Sequence, residues 1–257
     1  MIVKTEAIVL KSMKYRETSR ILTLYTRQFG KISVVAKGAR DLKSKFGSAL
    51  EPMSYVAAVI YRKEHRDLHL LSQCDVVRPF RELAVNMERM SAAMSVVELV
   101  DVVTHGEERN EHLFVTLVDT LQAINSATKN IVNALYFMEM KLSEIMGFRP
   151  DFLACLHCRT PLDEHSIDGA GAEVHLSLGG ALCSRCSRQG MGHPTLGAAT
   201  VKVLQRLQNA HGTDSIMNIG LTPQMSRDVG GVLRHYLQKH IENFRTLKSE
   251  GVFSAIM

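Results

Sequence analysis

The sequence predicts an α+β protein of more than one domain, and three observations lead to this prediction. Residues 1–80 alternate between apolar and polar side chains with a period of two, which is typical of half-buried antiparallel strands. From Arg81 onward, apolar residues recur at spacings of three and four, which indicates amphipathic helices. Between Pro150 and Pro194 neither period holds, and this stretch carries two Cys-x-x-Cys pairs. We therefore expect a β-barrel, then an α-helical bundle that contains a cysteine-rich insert.

The first predicted domain, residues 1–80, contains five strand-like segments: AIVLKS, SRILTLYT, KISVVAKG, MSYVAAVIYR and LHLLSQCDVV. Gly30 favours a hairpin between the second and third segments, and residues 37–48 read as a polar, basic loop. Five short strands in this length suit a small barrel, of which the oligonucleotide-binding (OB) fold is one design and the SH3-like barrel is the alternative. Cys74 lies in an apolar segment, so we expect it to be a buried hydrophobic residue.

The second predicted domain, residues 81–257, contains apolar stripes with helical spacing, which we interpret as the packing seam of a bundle. The stripes are Leu83, Met87, Met90, Met94 and Val97; Phe114, Leu117, Val118, Leu121 and Ile124; Ile131, Leu135, Met138, Leu142 and Ile145; Val203, Leu204 and Leu207; and Val229, Val232, Leu233, Tyr236, Ile241 and Phe244. Gly147 and Pro150 are placed to end the third helix.

The predicted insert, residues 151–193, holds the two cysteine pairs, Cys155 with Cys158 and Cys183 with Cys186, separated by 24 residues. Each pair can aim two sulfurs at one point, so the two pairs together predict one structural zinc ion held by four thiolates. Two alternatives are separate redox dithiols and a metal-free loop. A shell of four protein ligands leaves no position for a reacting water, so the zinc would be non-catalytic.

The positive charge is concentrated in the first predicted domain. Residues 1–80 hold 15 Lys and Arg against 7 Asp and Glu, a balance of +8, and the rest hold 16 against 19, a balance of −3, giving the net +5. A basic barrel on a slightly acidic remainder indicates a polyanionic partner, with solubility alone as the other interpretation. The sequence shows neither a signal peptide nor an apolar run of membrane-spanning length, so we expect a cytoplasmic protein without a membrane partner.

The candidate DNA-binding residues lie in or beside the basic loop: Lys31, Lys37, Arg40, Lys43 and Lys45. Their side chains can neutralise phosphates. Aromatic residues that could stack on bases are Tyr15, Tyr25, Phe29, Phe46 and Tyr61, although barrel aromatics are usually core residues, so we expect few of them to be exposed. The sequence contains no phosphate-binding glycine motif, GxSxG elbow or HExxH motif, so we expect a protein that is not an enzyme.

Four segments make the chain resemble the bacterial DNA repair protein family RecO: ETSR at 17–20, GKISVVAKGAR at 30–40, SALEP at 48–52 and GFRP at 147–150. The VAKGAR stretch is the most specific of them, and the order of basic barrel, helical bundle and four-cysteine insert extends the resemblance over nearly the whole chain. The resemblance implies an N-terminal OB-fold and carries Lys37 and Arg40 over as DNA contacts. The four cysteines carry over as the zinc ligands that some members have.

The resemblance also implies a recombination mediator. Such a protein binds single- and double-stranded DNA, anneals complementary strands and acts with RecR. It engages the acidic C-terminal tail of single-stranded DNA-binding protein and helps to load RecA, and its tail-binding pocket lies in the helical domain. Two other classes stay open: an adaptor whose basic barrel binds acidic protein tails rather than DNA, and a zinc-dependent nucleic-acid enzyme.

Overall fold

A computed structural model describes residues 1–41, 43–63, 66–167, 171–187, 193–242 and 244. The described residues form two compact units, Met1–Ser126 and those from Ala127 to Phe244. The first unit thus extends past the predicted boundary at residue 80, and a division into domains at that residue stays a prediction. Parts of the predicted ranges lie outside the described residues, namely 168–170 and 188–192 of the insert and 243 and 245–257 of the second domain.

The first unit begins with a closed barrel of five strands: β1 Ile2–Tyr15, β2 Ser19–Thr26, β3 Gly30–Ala36, β4 Tyr55–Tyr61 and β5 Leu68–Arg78. The strand order is β1-β2-β3-β5-β4, with β4 pairing antiparallel to β1 and β3 pairing parallel to β5. This connectivity is that of the OB-fold, so the predicted barrel is confirmed and the SH3-like alternative is wrong.

Side chains alternate between the two faces of each strand, and those on the inner face fill the barrel interior. Leu22 and Leu24 of β2 and Val34 of β3 are fully buried and point inward, while their neighbours point outward. Cys74 of β5 is buried in the same core, as predicted, and burial raises the pKa of its thiol to about 12. A 3₁₀ turn at Gly47–Leu50 adds the buried Leu50 to this core.

The first unit continues with two helices, α1 Met87–Val103 and α2 Glu111–Ser126. The apolar stripe predicted for α2 is confirmed, because its five members are all buried. The stripe predicted for α1 is confirmed only in part: Leu83 and Val97 are buried, but Met87 is exposed and Met90 and Met94 are only half-buried. Instead, α1 buries a broad surface built from small and β-branched side chains, including Ala92, Ala93, Val96, Val97 and Val100. Small side chains allow close packing on several sides, which a narrow stripe does not capture.

The second unit contains three helices and a small sheet among its described residues: α3 Val132–Ile145, β6 Ala172–His175, β7 Gly180–Leu182, β8 Thr195–Leu196, α4 Ala198–Gln208 and α5 Pro223–His240. The sheet order is β7-β6-β8, with both pairings antiparallel. Thr222 caps α5, because its Oγ1 accepts a hydrogen bond from Met225 N at 3.2 Å. Tyr136 joins α3 to α5 by donating to the Ser226 carbonyl at 2.7 Å.

Candidate nucleic-acid interface and metal centre

The basic loop after β3 presents four of the five candidate cations at the surface: Lys37, Arg40, Lys43 and Lys45. Arg40 fastens this loop to the β1–β2 turn. Its Nη1 donates to the carbonyls of Arg16 and Glu17 at 3.2 and 2.8 Å, and its backbone N donates to the Thr18 carbonyl at 2.9 Å. The loop and the turn therefore form one basic surface at this end of the barrel.

Lys31 does not belong to that surface. It lies near the start of β3, six residues from Lys37, which corresponds to roughly 20 Å along an extended strand. Its Nζ donates to the Asp101 carbonyl at 2.7 Å and lies 3.5 Å from Asp101 Oδ1. Lys11 forms a second ion pair with the same buried carboxylate. The ammonium group of Lys31 is thus paired with Asp101 inside the first unit, and its contact with DNA stays a prediction.

The five aromatic candidates divide by exposure. Tyr25 and Phe46 are only 1% and 4% exposed, so they belong to the protein interior, and burial raises the pKa of Tyr25. Phe29 is half-buried, and the Arg62 guanidinium lies 4.6 Å from its ring centre. Tyr15 is half-buried as well. Tyr61, at 42% exposed, is therefore the most accessible of the five, in line with the expectation that few are exposed.

An apolar row crosses the outside of the barrel, and the sequence analysis missed it. Strand register places Met13 opposite Ile21, Ile21 opposite Val35, Val35 opposite Leu70 and Leu70 opposite Tyr61. Directly paired residues share a face of the sheet, so these five side chains form one outer row. Met13 is 56% exposed, Tyr61 is 42% exposed, and the three between them are half-buried.

The outer row runs between two connections that carry exposed cations. Met13 lies close to the β1–β2 turn, which contains the exposed Arg16. Tyr61 is the last residue of β4, and the connection from β4 to β5 carries the exposed Lys63 and Arg66. In OB-folds, oligonucleotides bind on the β2–β3 face and at these two connections. Arg16, Lys63 and Arg66 are scattered in the sequence, and only the OB-fold topology would have singled them out.

The structure brings the four cysteines of the insert together. Their sulfurs all lie within 4.8 Å of one another, and Cys158 Sγ is 3.7 Å from Cys183 Sγ. Cys155 and Cys183 are buried, whereas Cys158 is exposed and Cys186 is half-buried. The set is therefore a compact four-thiol cluster at the surface of the second unit, which is the arrangement that a tetrahedral metal site needs.

Backbone hydrogen bonds shape the two cysteine turns. The N–H of Cys155 donates to the Thr160 carbonyl at 2.8 Å, and Arg159, at a φ of +60°, turns the chain back beside it. In the second turn, Ser187 N donates to the Cys183 carbonyl at 2.9 Å. The Leu156 N–H donates to the Ala181 carbonyl at 3.0 Å, which holds the first turn against the strand that leads into the second.

Burial and hydrogen bonds shift the pKa values of Cys155, Cys158 and Cys186. Thr160, whose Oγ1 lies 3.2 Å from Cys158 Sγ, lowers the pKa of Cys158 to about 6. Burial opposes ionisation of Cys155, but backbone N–H groups, first that of Cys183, outweigh it and lower its pKa. The hydrogen bond with Cys158 raises the pKa of Cys186 to about 12, because Cys186 keeps the proton that the cluster retains. Such a cluster of sulfurs suits a soft or borderline cation, whose charge replaces the protons.

Fold and site together define a class: an OB-fold barrel with a basic edge, followed by helices and a four-thiol cluster that can hold a metal ion. Comparison with known families identifies the class more closely. Family models described as "Recombination protein O N terminal" and "Recombination protein O C terminal" match residues 1–80 and 85–250. The chain belongs to the RecO family of DNA repair proteins.

Curated relatives match the chain over its full length. It is 31% identical over 260 residues to the DNA repair protein RecO of Chlorobium phaeobacteroides (strain BS1), with 100% of this chain and 99% of the relative covered. It is 28% identical over 259 residues to that of Chloroherpeton thalassium, covering 100% of both, and 30% identical over 250 residues to that of Alkaliphilus metalliredigens, covering 96% and 98%. In the described part of the chain, no helix has the length and apolarity to cross a membrane.

Proposed function

We propose that this protein is a recombination mediator that binds single- and double-stranded DNA, anneals complementary strands and helps to load RecA onto DNA coated with single-stranded DNA-binding protein. The observation that carries this proposal is the outer row of the barrel, flanked by basic connections and adjoining the basic loop. Membership of the RecO family, whose relatives are named as DNA repair proteins, supports it. Such work would take place at the bacterial nucleoid in the cytoplasm.

In the proposed interface, the outer row contacts bases, and the cations around it contact phosphates. Bases of a single strand would lie against Met13 and Tyr61 and the side chains between them, since stacking and apolar contact do not depend on base identity. The four exposed cations of the basic loop would contact phosphates of single or double strands: Lys37, Arg40, Lys43 and Lys45. Annealing needs no covalent step: a basic surface lowers the repulsion between two strands and raises their local concentration.

We also propose that the four-thiol cluster binds zinc as a structural ion. Cys155, Cys158, Cys183 and Cys186 would hold it, and the bound ion would supply the cross-link that fixes the insert. The insert has a short sheet and few long apolar runs of its own, so a cross-link of this kind would substitute for a hydrophobic core. The role is structural because four thiolates leave no open coordination position.

For the acidic tail of single-stranded DNA-binding protein, we propose a groove of about 340 Å³ beside α5. Leu176, Leu196 and Val232 give it apolar walls, and the exposed Arg227 and His235 stand at its rim. Apolar walls with the Arg227 guanidinium at the rim suit a short peptide that carries an apolar side chain and carboxylates. RecR is the second expected protein partner, through the family relationship, and RecA the indirect one.

The experiment that tests the proposal is strand annealing followed by fluorescence energy transfer, with labelled complementary oligonucleotides precoated with single-stranded DNA-binding protein. We expect wild type to anneal them and Lys37→Ala/Arg40→Ala to be much slower, most clearly at low salt. The matched control, Lys202→Ala/Lys239→Ala, removes two exposed lysines of the second unit and should anneal at the wild-type rate.

The annealing assay, with binding of the tail peptide measured in parallel, distinguishes the mediator from the adaptor. If wild type fails to anneal coated strands but binds the tail peptide, the protein is an adaptor and the proposed DNA interface is wrong. If wild type anneals and the Lys37→Ala/Arg40→Ala variant equals it, annealing uses another surface, and the basic loop loses its role.

A further inference from the structure

A second group of metal-ligand side chains lies on the small sheet of the insert, and the function proposed above does not use it. Glu173, His175 and His193 offer one carboxylate oxygen and two imidazole nitrogens that all lie within 4.8 Å of one another. None of the three belongs to the four-thiol cluster.

Strand register explains why these three residues meet. Glu173 and His175 are two positions apart on β6, so their side chains point to the same face of the sheet. Glu173 pairs with Thr195 of β8, and continuing that antiparallel register places His193 opposite His175. The hydrogen bond from Val174 N to the Pro194 carbonyl, at 2.9 Å, holds the two chains together at this point.

The spacing of the ligand atoms suits one small ion. His175 Nε2 lies 3.0 Å from Glu173 Oε1, and the rings of His175 and His193 have centres 4.0 Å apart. Two adjacent ligands on a tetrahedral zinc, each bonded at about 2.0–2.1 Å, lie roughly 3.4 Å apart. Ser187 Oγ donates to the other carboxylate oxygen, Glu173 Oε2, which fixes the carboxylate as an outer hydrogen bond does in metal sites.

The burial of an acidic side chain is the second observation that favours a metal ion at this cluster. Glu173 is only 3% exposed, and its carboxylate lies beside His175 and accepts a hydrogen bond from Ser187. A divalent cation compensates the carboxylate and uses a lone pair of each imidazole at once.

We propose that Glu173, His175 and His193 form a second metal site, which binds a divalent first-row cation of the zinc type. The two imidazole ligands select this class over calcium and magnesium, which prefer oxygen ligands alone. Three protein ligands leave a fourth position for water or an exogenous ligand, in contrast with the closed shell of the four cysteines. The bound ion would tie the segment that enters β8 to the end of β6.

The test is zinc stoichiometry. Protein stripped of metal is equilibrated with Zn²⁺, dialysed against a weak competing chelator and analysed by mass spectrometry for zinc per chain. We expect two zinc ions in wild type and one in His175→Asn/His193→Asn. His165→Asn is the matched control, because this exposed histidine of the same insert is not part of the cluster, and it should retain two.

Equal zinc content in wild type and His175→Asn/His193→Asn would overturn the proposal. The comparison is independent of the four-thiol site: if that site binds no zinc, the counts become one and zero, but their difference remains one. A measurement on wild type alone guards against misfolding of the variant. Long-range ¹H–¹⁵N correlation of the imidazoles should show His175 and His193 shifting as Zn²⁺ is added, and unshifted resonances would also overturn the proposal.

Discussion

The removal of Lys37 and Arg40 should change the salt dependence of DNA binding by a calculable amount. Four cations of the basic loop are exposed, and among the described ion pairs none of them has a carboxylate partner. If each neutralises one phosphate of a single strand, the logarithm of the affinity falls with that of the salt concentration with a slope of about −2.8. Lys37→Ala/Arg40→Ala leaves two contacts and a slope of about −1.4.

These slopes translate into affinities. Between 50 and 200 mM salt, wild type should lose about 50-fold in affinity and the double variant about 7-fold. At 100 mM salt the variant should bind about 25-fold more weakly than wild type, since each phosphate contact contributes about 0.7 logarithmic units there. Fluorescence anisotropy with a labelled oligonucleotide, titrated at four salt concentrations, measures both quantities.

The controls separate charge from structure. Arg40 also fastens the loop to the β1–β2 turn, whereas Lys37→Ala/Lys43→Ala removes two charges and keeps those hydrogen bonds, so it should give the same slope of about −1.4. Lys31→Met should keep the wild-type slope, because its ammonium is paired with Asp101, but should lower the free energy of unfolding by about 1–2 kcal/mol. An unchanged slope in the Lys37→Ala/Arg40→Ala variant would refute the reasoning.

Three further predictions concern the metal cluster, the barrel and the groove. Cys183→Ser should weaken zinc retention and make residues 151–193 sensitive to protease. The control Cys74→Ala, in the barrel core, should keep the wild-type zinc content. Unchanged zinc content and unchanged proteolysis in Cys183→Ser would contradict the assignment. Gly30→Ala should lower the free energy of unfolding in urea by about 2–4 kcal/mol, because φ is +65° and a Cβ would lie 2.1 Å from a backbone carbonyl oxygen. Gly106→Ala, at a φ of +59° with open space around it, should cost only about 1 kcal/mol, and equal losses would show that the close contact does not matter. Gly231→Leu should fill the groove beside α5, since a Cβ at this position meets open space. Calorimetry should show at least tenfold weaker binding of the acidic tail peptide, while the DNA affinity stays the same. Unchanged peptide binding would remove the groove from the proposal.

Local patterns in the sequence were sufficient for much of the fold. The period of two located the five strands, and Gly147, with a φ of +86°, lies just after α3 ends, as its position predicted. The cysteine spacing was equally informative, because a Cys-x-x-Cys turn is a local structure that aims two sulfurs at one point. The broad buried surface of α1 was not predicted, since its small side chains become core only through the neighbours they pack against.

The candidate site was predicted less completely. The sequence located the basic loop, but it grouped Lys31 with Lys37 because the two are close along the chain. In the structure the two lysines are far apart, because the strand that contains Lys31 is extended. Lys31 instead donates a hydrogen bond to Asp101, which is 70 residues away in the sequence. The outer row was invisible for a related reason: Met13, Ile21, Val35 and their partners come from all five strands and meet only through register.

The sequence by itself therefore determined most of the elements, the four cysteines that cluster and the family, because periodicity, turn chemistry and cysteine spacing act within a few residues. Tertiary structure decided which charges remain free, which apolar side chains face outward, and that His193 lies opposite His175. Those properties depend on strand register and on the packing of residues that are distant in the chain, and a single sequence encodes them only through the complete fold.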